Sequence, residues 1–339
     1  MSMLGLGIES TAHTFSCSVM DGRGRILSDV RSAYRPPDGE GIHPREASRH
    51  HVERGPAVLD ECLREAGVGM SDIGMVSYAA GPGLGPCLRV GAVMARALAS
   101  YHGIPLYPVN HAVGHIEIGR LLTGLRDPLV LLVSGGHTMI LAFLEKRWRV
   151  FGETLDITLG QLLDQFGRSL GFASPCGREI ERLAASSSGC MQLPYVVKGN
   201  DVSFSGLLSA AVRAAGPDRA LACRSLQETA FAMVSEAVER ALSLTGKREV
   251  MAVGGVAANK RLAGMLGAAC RLHGARFRVV PPRYAGDCGS QICWTGMLES
   301  DIGGGTPVRD ALVRQSWRLD TVTIGYQAPL ASRRPRSRR

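Results

Sequence analysis

Residues 4–30, LGLGIESTAHTFSCSVMDGRGRILSDV, decide the fold, because their pattern returns at 128–154 as PLVLLVSGGHTMILAFLEKRWRVFGET. In each stretch an apolar run, a turn of small residues, a second run, a tight turn and a third run follow one another. That order reads as three antiparallel strands. The letters agree at the first turn, where Ser10-x-x-His13-Thr14 recurs as Ser134-x-x-His137-Thr138, 124 positions later. Shared letters and a shared strand order together point to an internal duplication.

Between the two stretches, the spacing of apolar residues predicts helices at about 45–66, 88–102 and 111–123. They alternate with the strands MVSYAAGPG (75–83) and PLYPVN (105–110). After the second stretch come a mostly helical region at about 157–245, a strand EVMAVGG (249–255) and a helix at 259–273. The strand FRVVPP (277–282) and a helix at 290–298 close the pattern. Strands alternating with helices predict an α/β protein with largely parallel central sheets.

A chain of 339 residues suits two domains of about 150 residues each. The expected division is a first half over 1–128 with a helical insert at about 35–66, and a second half over 129–326 with a helical insert at about 157–245. The Arg-rich stretch 327–339 is expected to be a disordered tail. A hydrophobic content of 45% with 20% charged residues describes a soluble globular protein. No apolar run approaches the roughly 20 residues that span a bilayer, and MSMLGLGIES lacks the basic flank and long apolar core of a signal peptide. Nine cysteines without a C-x-x-C pair read as reduced thiols in the core, so a reducing cytoplasm is the expected compartment. Of the net charge of +9, five charges are Arg333, Arg334, Arg336, Arg338 and Arg339, which leaves +4 on the body. The tail could touch phosphate backbones without sequence preference; the folded body is only mildly basic.

Chemistry enters at Asn110-His111-Ala112-Val113-Gly114-His115. Two imidazoles at i and i+4 share one helix face and could share one metal ion; a surface or capping pair is the competing reading. The zinc-protease pattern needs a glutamate directly after the first histidine, and Ala112 stands there. Asp287, at the end of the strand FRVVPP, could supply the oxygen ligand that two histidines lack, or could cap the next helix. Cys288 beside it is a possible soft ligand or a small buried thiol.

Three glycine turns follow apolar strands: Gly81-Pro82-Gly83-Leu84-Gly85-Pro86, Ser134-Gly135-Gly136 and Gly254-Gly255. The ends of strands in open α/β sheets are where ligands bind, and backbone amides there can face a phosphate. None is followed by the Gly-Lys-Ser/Thr of a Walker loop. For Gly81–Pro86, a plain strand-to-helix connection is an equal reading. Asn259 reads as a helix cap that could also face a nucleotide. Asp164 falls within a helical pattern, where an acid is ordinarily a solvated face. Glu9, near the end of the first strand, is a candidate for the ligand cleft, with capping or packing as an equal reading.

These pieces resemble the universal tRNA threonylcarbamoyladenosine transferases, called TsaD in bacteria and forming the catalytic subunit of KEOPS complexes in archaea and eukaryotes. The resemblance runs from about Leu4 to about Tyr326. It is carried by GIESTAHTFS, GIHPREASRHH, GPGLGPCLRVG, NHAVGHIE, LVSGGHT, FGETLDITLGQLLDQFGR, SLQETAF, GGVAANKRL and DCGSQICWTG. It implies a duplicated actin-like ATPase fold with two lobes around a nucleotide cleft. The implied reaction transfers threonylcarbamoyl from threonylcarbamoyl-AMP to the exocyclic amine of the tRNA adenosine beside the anticodon. By the same resemblance His111, His115 and Asp287 are ligands of one divalent metal, iron(II) first and zinc as the alternative. Leu132, Val133, Ser134, Gly135, Gly136, Asp164, Gly177, Glu181 and Asn259 are its substrate contacts. A small kinase or ATPase and a dimerising subunit are the implied protein partners, with tRNA as substrate and no membrane.

The chain departs from the family pattern at two places. Leu132 stands where archaeal and eukaryotic members carry a tyrosine metal ligand, and Cys288 stands where the family has asparagine. His50 and His51 fall in the helical insert, as a partner-facing surface by resemblance or as a solvated helix face by residue type. Two other readings are a metalloprotease, opposed by Ala112, and a non-catalytic nucleotide-binding scaffold.

Overall fold

A computed structural model describes residues 3–37 and 40–326 of the chain; the Arg-rich tail lies outside them. The described residues form two compact units.

The first unit takes in residues up to Tyr34, Ile42–Asp127 and everything described from Asp287 onward. Its strands are β1 (Leu4–Glu9), β2 (Thr14–Asp21) and β3 (Ile26–Ala33), followed by the helix α1 (Pro44–Ala66) and then β4 (Ile73–Gly81). After them come α2 (Gly85–His102), β5 (Leu106–Asn110) and α3 (His111–Thr123). The sheet order is β3-β2-β1-β4-β5, antiparallel across β3, β2 and β1 and parallel across β1, β4 and β5.

The second unit holds residues 35–37, 40, 41 and Pro128–Gly286 of the described chain. It contains β6 (Leu129–Val133), β7 (Thr138–Leu144), β8 (Arg147–Glu153), α4 (Leu159–Ser169) and α5 (Gly177–Ala184). The short strands β9 (Val197–Lys198) and β10 (Asp201–Val202) lead to α6 (Ser205–Ala214) and α7 (Arg219–Thr245). It ends with β11 (Glu249–Val253), α8 (Lys260–Leu272), β12 (Arg276–Val279) and α9 (Pro282–Ala285). Its main sheet runs β8-β7-β6-β11-β12 with the same senses: antiparallel across the three meander strands, parallel across β6, β11 and β12. Strand for strand, this is the order of the first sheet. Both sheets are therefore mixed rather than largely parallel, because each begins with a hairpin meander and only the later strands arrive through helical crossovers.

The last helix, α10 (Gly289–Ser300), follows β12 in sequence but belongs to the first unit. The reason is steric. At Gly7 on β1 a Cβ would come within 2.4 Å of Cys293 N and Gly289 O, and at Gly296 within 2.4 Å of the Ser77 Cβ. Glycines on both surfaces let the helix lie directly on the sheet backbone. Residues 287–326, expected in the second half, are thereby drawn into the first unit. Met20, Met75, Tyr107, Ile118, Cys293, Trp294 and Met297 form the apolar layer beneath it.

Helix α1 starts with Pro44 in its first turn and ends at Gly67 in the left-handed region, φ 67°. It buries Ala47, His51, Gly55, Val58 and Cys62, a stripe at helical spacing. His51 is fully buried. It thus sits neither on a solvated face nor on a partner-facing surface; the stripe of small residues around it brings α1 close to the sheet. All nine cysteines are free, and only Cys190 is exposed.

Candidate metal centre and substrate loops

The centre is built at the junction of β5 and α3. Asn110 ends the strand and caps the helix, its Oδ1 accepting from Ala112 N at 3.0 Å and Val113 N at 3.2 Å. Every residue from His111 to Arg120 is buried, so α3 is enclosed on all sides. Its one internal ion pair, Glu117 with Arg120 at 2.8 Å, is buried with it. Gly114 faces Gln291 of α10, where an added Cβ would lie 3.3 Å from the glutamine side chain.

That close approach brings three donors together. His111 Nε2 lies 3.6 Å and His115 Nε2 3.3 Å from Asp287 Oδ1, and one ligand atom from each residue falls within 4.8 Å of the others. Bonds of about 2.0–2.2 Å to a single ion set neighbouring donors roughly 3–3.5 Å apart, so the spacing suits one cation. His115 is 1% exposed, its Nδ1 makes no hydrogen bond, and its Nε2 has Asp287 beside it without a well-formed hydrogen bond. A buried imidazole left in that state is costly unless a metal takes its lone pair.

Glu9 orients His111, the first of the three donors. Its Oε2 accepts from His111 Nδ1 at 2.9 Å, while its Oε1 accepts the backbone N–H of Thr11 at 2.6 Å. Gln291 Nε2 stands 3.3 Å from Glu9 Oε2, and the Thr11 hydroxyl stands 3.4 Å from His111 Nδ1. A carboxylate on Nδ1–H fixes the ring orientation and aims Nε2 toward Asp287. Burial alone would lower the His111 pKa, but the Glu9 charge and hydrogen bond outweigh it and push it up to about 9. Burial lowers His115. Burial would also raise Asp287, yet the His115 and His111 imidazoles hold its carboxyl well below the usual range. Cys288 takes no part in the cluster: its Sγ is near Ser290 Oγ (3.4 Å) and Gln291 Oε1 (3.7 Å), and burial pushes the thiol up to about 12.

Sequence reasoning held Glu9 as one candidate among others and missed Gln291 and Thr11. Gln291 is four residues beyond Asp287 in DCGSQ, the one spacing that could have marked it.

The glycine turns divide. At Gly81–Pro86 the Gly83 N–H donates to Gln315 O at 3.2 Å and the Leu84 N–H to Thr11 O at 2.7 Å. Those amides are satisfied within the protein, which favours the connection over the phosphate cradle. Gly254 has φ 96°, and a Cβ on it would come 2.2 Å from Val133 O, so its glycine serves a close strand approach. Gly135 and Gly136 differ: both are exposed and have open space where a Cβ would go. Ser134 shapes that turn, its hydroxyl accepting from Gly136 N at 3.2 Å and His137 N at 3.1 Å.

The remaining substrate candidates lie in the second unit. Leu132 and Val133 are buried in β6, paired with Met139 and Thr138 of β7. Asp164, on α4, accepts from the Ser174 hydroxyl at 2.8 Å and from Cys176 N at 3.1 Å, just ahead of Gly177 at the start of α5. It is a loop anchor rather than a purely solvated acid. Glu181 Oε1 accepts from Lys260 N at 2.7 Å. Asn259 caps α8 through Oδ1 at 2.9 Å from Arg261 N, and its Nδ2 donates to Gln227 Oε1 at 3.0 Å.

A family profile described as TsaD, tRNA N6-adenosine threonylcarbamoyltransferase, matches residues 25–294. A protein of Pyrobaculum neutrophilum named tRNA N6-adenosine threonylcarbamoyltransferase is 49% identical over 326 residues, 96% of this chain and 97% of its own length. One of that name from Hyperthermus butylicus is 50% identical over 332 residues, 95% and 91% of the two lengths. A protein of Methanothermobacter thermautotrophicus, named probable bifunctional tRNA threonylcarbamoyladenosine biosynthesis protein, is 48% identical over 96% of this chain and 61% of its own length. Among solved structures, HypF of T. kodakarensis superposes with TM-score 0.63 at 13% identity, over 88% of this chain and 48% of that one. Component A of the (R)-2-hydroxyglutaryl-CoA dehydratase of Acidaminococcus fermentans does so with TM-score 0.53 at 12% identity, over 88% and 100%. These structures share the fold alone.

Proposed function

Since the chain belongs to the tRNA N6-adenosine threonylcarbamoyltransferase family, and is a transferase that modifies adenosine in tRNA, we propose how its residues divide that work. The donor is threonylcarbamoyl-AMP, the acceptor is the exocyclic amine of the adenosine beside the anticodon, and AMP leaves. His111, His115 and Asp287 hold one divalent metal, iron(II) first and zinc as the alternative. The single observation carrying this reading is the meeting of those three donors around a buried His115 whose Nδ1 makes no hydrogen bond.

When bound, such an ion supplies positive charge that polarises a phosphate or carbamoyl oxygen. Glu9 keeps the His111 proton on Nδ1 and leaves Nε2 free to ligate. The attacking amine has a lone pair conjugated with its ring, so holding the reactants in line matters more than a strong base. Ser134, Gly135 and Gly136 give an exposed turn with room for a phosphate or acyl oxygen. Leu132 and Val133 lead into that turn; Asp164, Gly177, Glu181 and Asn259 form the polar remainder of the substrate set. The hydrogen bonds of Asp164, Glu181 and Asn259 to neighbouring backbone support a preformed binding surface.

In the cell the enzyme works in the cytoplasm beside a KEOPS-like small kinase or ATPase and a dimerising subunit. A bifunctional relative whose length exceeds the match supports a second activity acting beside this one. No described helix is long and apolar enough to cross a membrane.

The test is reconstitution. Purified protein with those partners should restore the modified nucleoside, read by mass spectrometry, in tRNA from a strain lacking it. His111→Ala or Asp287→Ala should abolish it, together with bound metal by elemental analysis. Full transfer by either variant would overturn the metal assignment.

A further inference from the structure

His51 is a fully buried histidine that the centre, as described, leaves without a task. Its ring packs 5.6 Å from that of Phe15, and its Nε2 lies 3.0 Å from the carbonyl oxygen of Ala12. A carbonyl only accepts, so Nε2 carries the proton and, in the neutral ring, Nδ1 is an acceptor. His50 Nδ1, 3.2 Å away, fills that acceptor as a donor. His50 Nε2 is then left to accept from the Ser32 hydroxyl at 3.1 Å. One backbone carbonyl thus dictates proton positions on two imidazoles. Burial keeps both rings neutral, lowering His50 and bringing His51 down to about 4.

The anchored carbonyl belongs to the turn between β1 and β2. Its neighbour Thr11 donates its N–H to Glu9, and the Thr11 carbonyl receives the Leu84 N–H at 2.7 Å. The turn is therefore pinned at two successive carbonyls, by Leu84 and by His51, while its own N–H steers the carboxylate that orients His111.

We propose that His51 is a positioning residue of the metal centre: its Nε2–H anchors Ala12 O and so holds the turn that sets Glu9 against His111. The inference rests on His111, His115 and Asp287 being metal ligands.

The test uses the full chain and Co(II) as the probe, its affinity measured against a competing chelator. His51→Phe keeps the ring volume and loses the donor; Co(II) affinity is expected to fall about tenfold, the lower end of the range for outer partners of a metal ligand. His51→Gln places an amide donor near the lost Nε2 and is expected to stay within about threefold of wild type. A role in packing alone would reverse that order, with Phe tolerated and Gln not. Unchanged affinity in His51→Phe, or equal losses in Phe and Gln, would overturn the proposal. If His51→Phe does not fold, His51→Asn replaces it: its shorter amide stops short of Ala12, and affinity equal to that of Gln would be as damaging. His111→Ala separates the premise from the inference. Co(II) bound as tightly by that variant as by wild type would remove the ligand assignment and the proposal with it.

Discussion

Asp29 on β3 accepts both the backbone N–H, at 3.1 Å, and the hydroxyl of Ser290 on α10. The cap residue of that helix, Cys288, gives no capping side-chain hydrogen bond to the first-turn amides, so the sheet supplies the cap from a distance. Ser16 assists by accepting from Gly289 N at 2.9 Å. Asp287 sits immediately before this clamp.

Asp29→Ala is expected to destabilise the protein by on the order of 2 kcal/mol, since it strands the buried donors of Ser290 and removes the charge facing Arg31, whose Nε is 2.6 Å from the carboxylate. Urea unfolding measures the loss. A change below about 1 kcal/mol would mean that the clamp is not what seats α10.

Glu9→Gln preserves size and an acceptor for Thr11 but removes the charge facing His111. Metal affinity should weaken roughly 10- to 100-fold while the melting temperature of the metal-free protein changes little. Chelator competition decides; wild-type affinity would show that His111 is oriented by something else.

A pair of glycine substitutions separates binding from architecture. Gly254→Ala meets Val133 O at 2.2 Å from a positive φ and should cost at least about 2 kcal/mol. Gly135→Ala meets open space, so stability should stay within about 0.5 kcal/mol. Its transfer activity should nonetheless fall if the exposed turn holds substrate. Unaltered kcat/KM in Gly135→Ala would remove that turn from the substrate set.

His51 also predicts a pH response. Its folded pKa, about 4, lies below the ordinary 6.5, so between those values the unfolded chain binds the proton and the folded one does not. The stability from its neutral burial is complete above pH 6.5 and is lost as pH falls through 4, on the order of 2–3 kcal/mol in all. In His51→Phe the acid limb of a Tm-against-pH curve should flatten over that window. An unchanged limb would place the sensitivity on other groups.

The meander and its repeat could be read from local pattern alone, since strand alternation and turn residues are short-range signals. Some helix starts were legible too: Asn259 caps α8 as its residue type suggests and α3 begins directly after Asn110, whereas the elements within 157–245 were read only as one helical region. The destination of α10 was not, because its place depends on Gly7 meeting Gly289 and Cys293, and on Gly296 meeting Ser77, across most of the chain's length. The same holds for the amides of Gly83 and Leu84, satisfied by Gln315 and Thr11, and for His51, whose partner is a carbonyl 39 residues away. Residue type marked His111, His115 and Asp287 as metal-capable; only the packing of α3 on α10 revealed Glu9 and Gln291 as their support.

Because α10 is the last long helix and rests on the first sheet, synthesis order becomes a constraint. While a ribosome is still making the second unit, the first lacks the helix that covers Gly7, and its apolar layer of Met20 and Met75 has no lid. Domains that can fold from the N-terminus do so as they emerge; this one is completed only once about residue 300 has been added. The first unit's apolar layer is thus covered late in translation, and the three candidate donors come together only once Asp287 has been added.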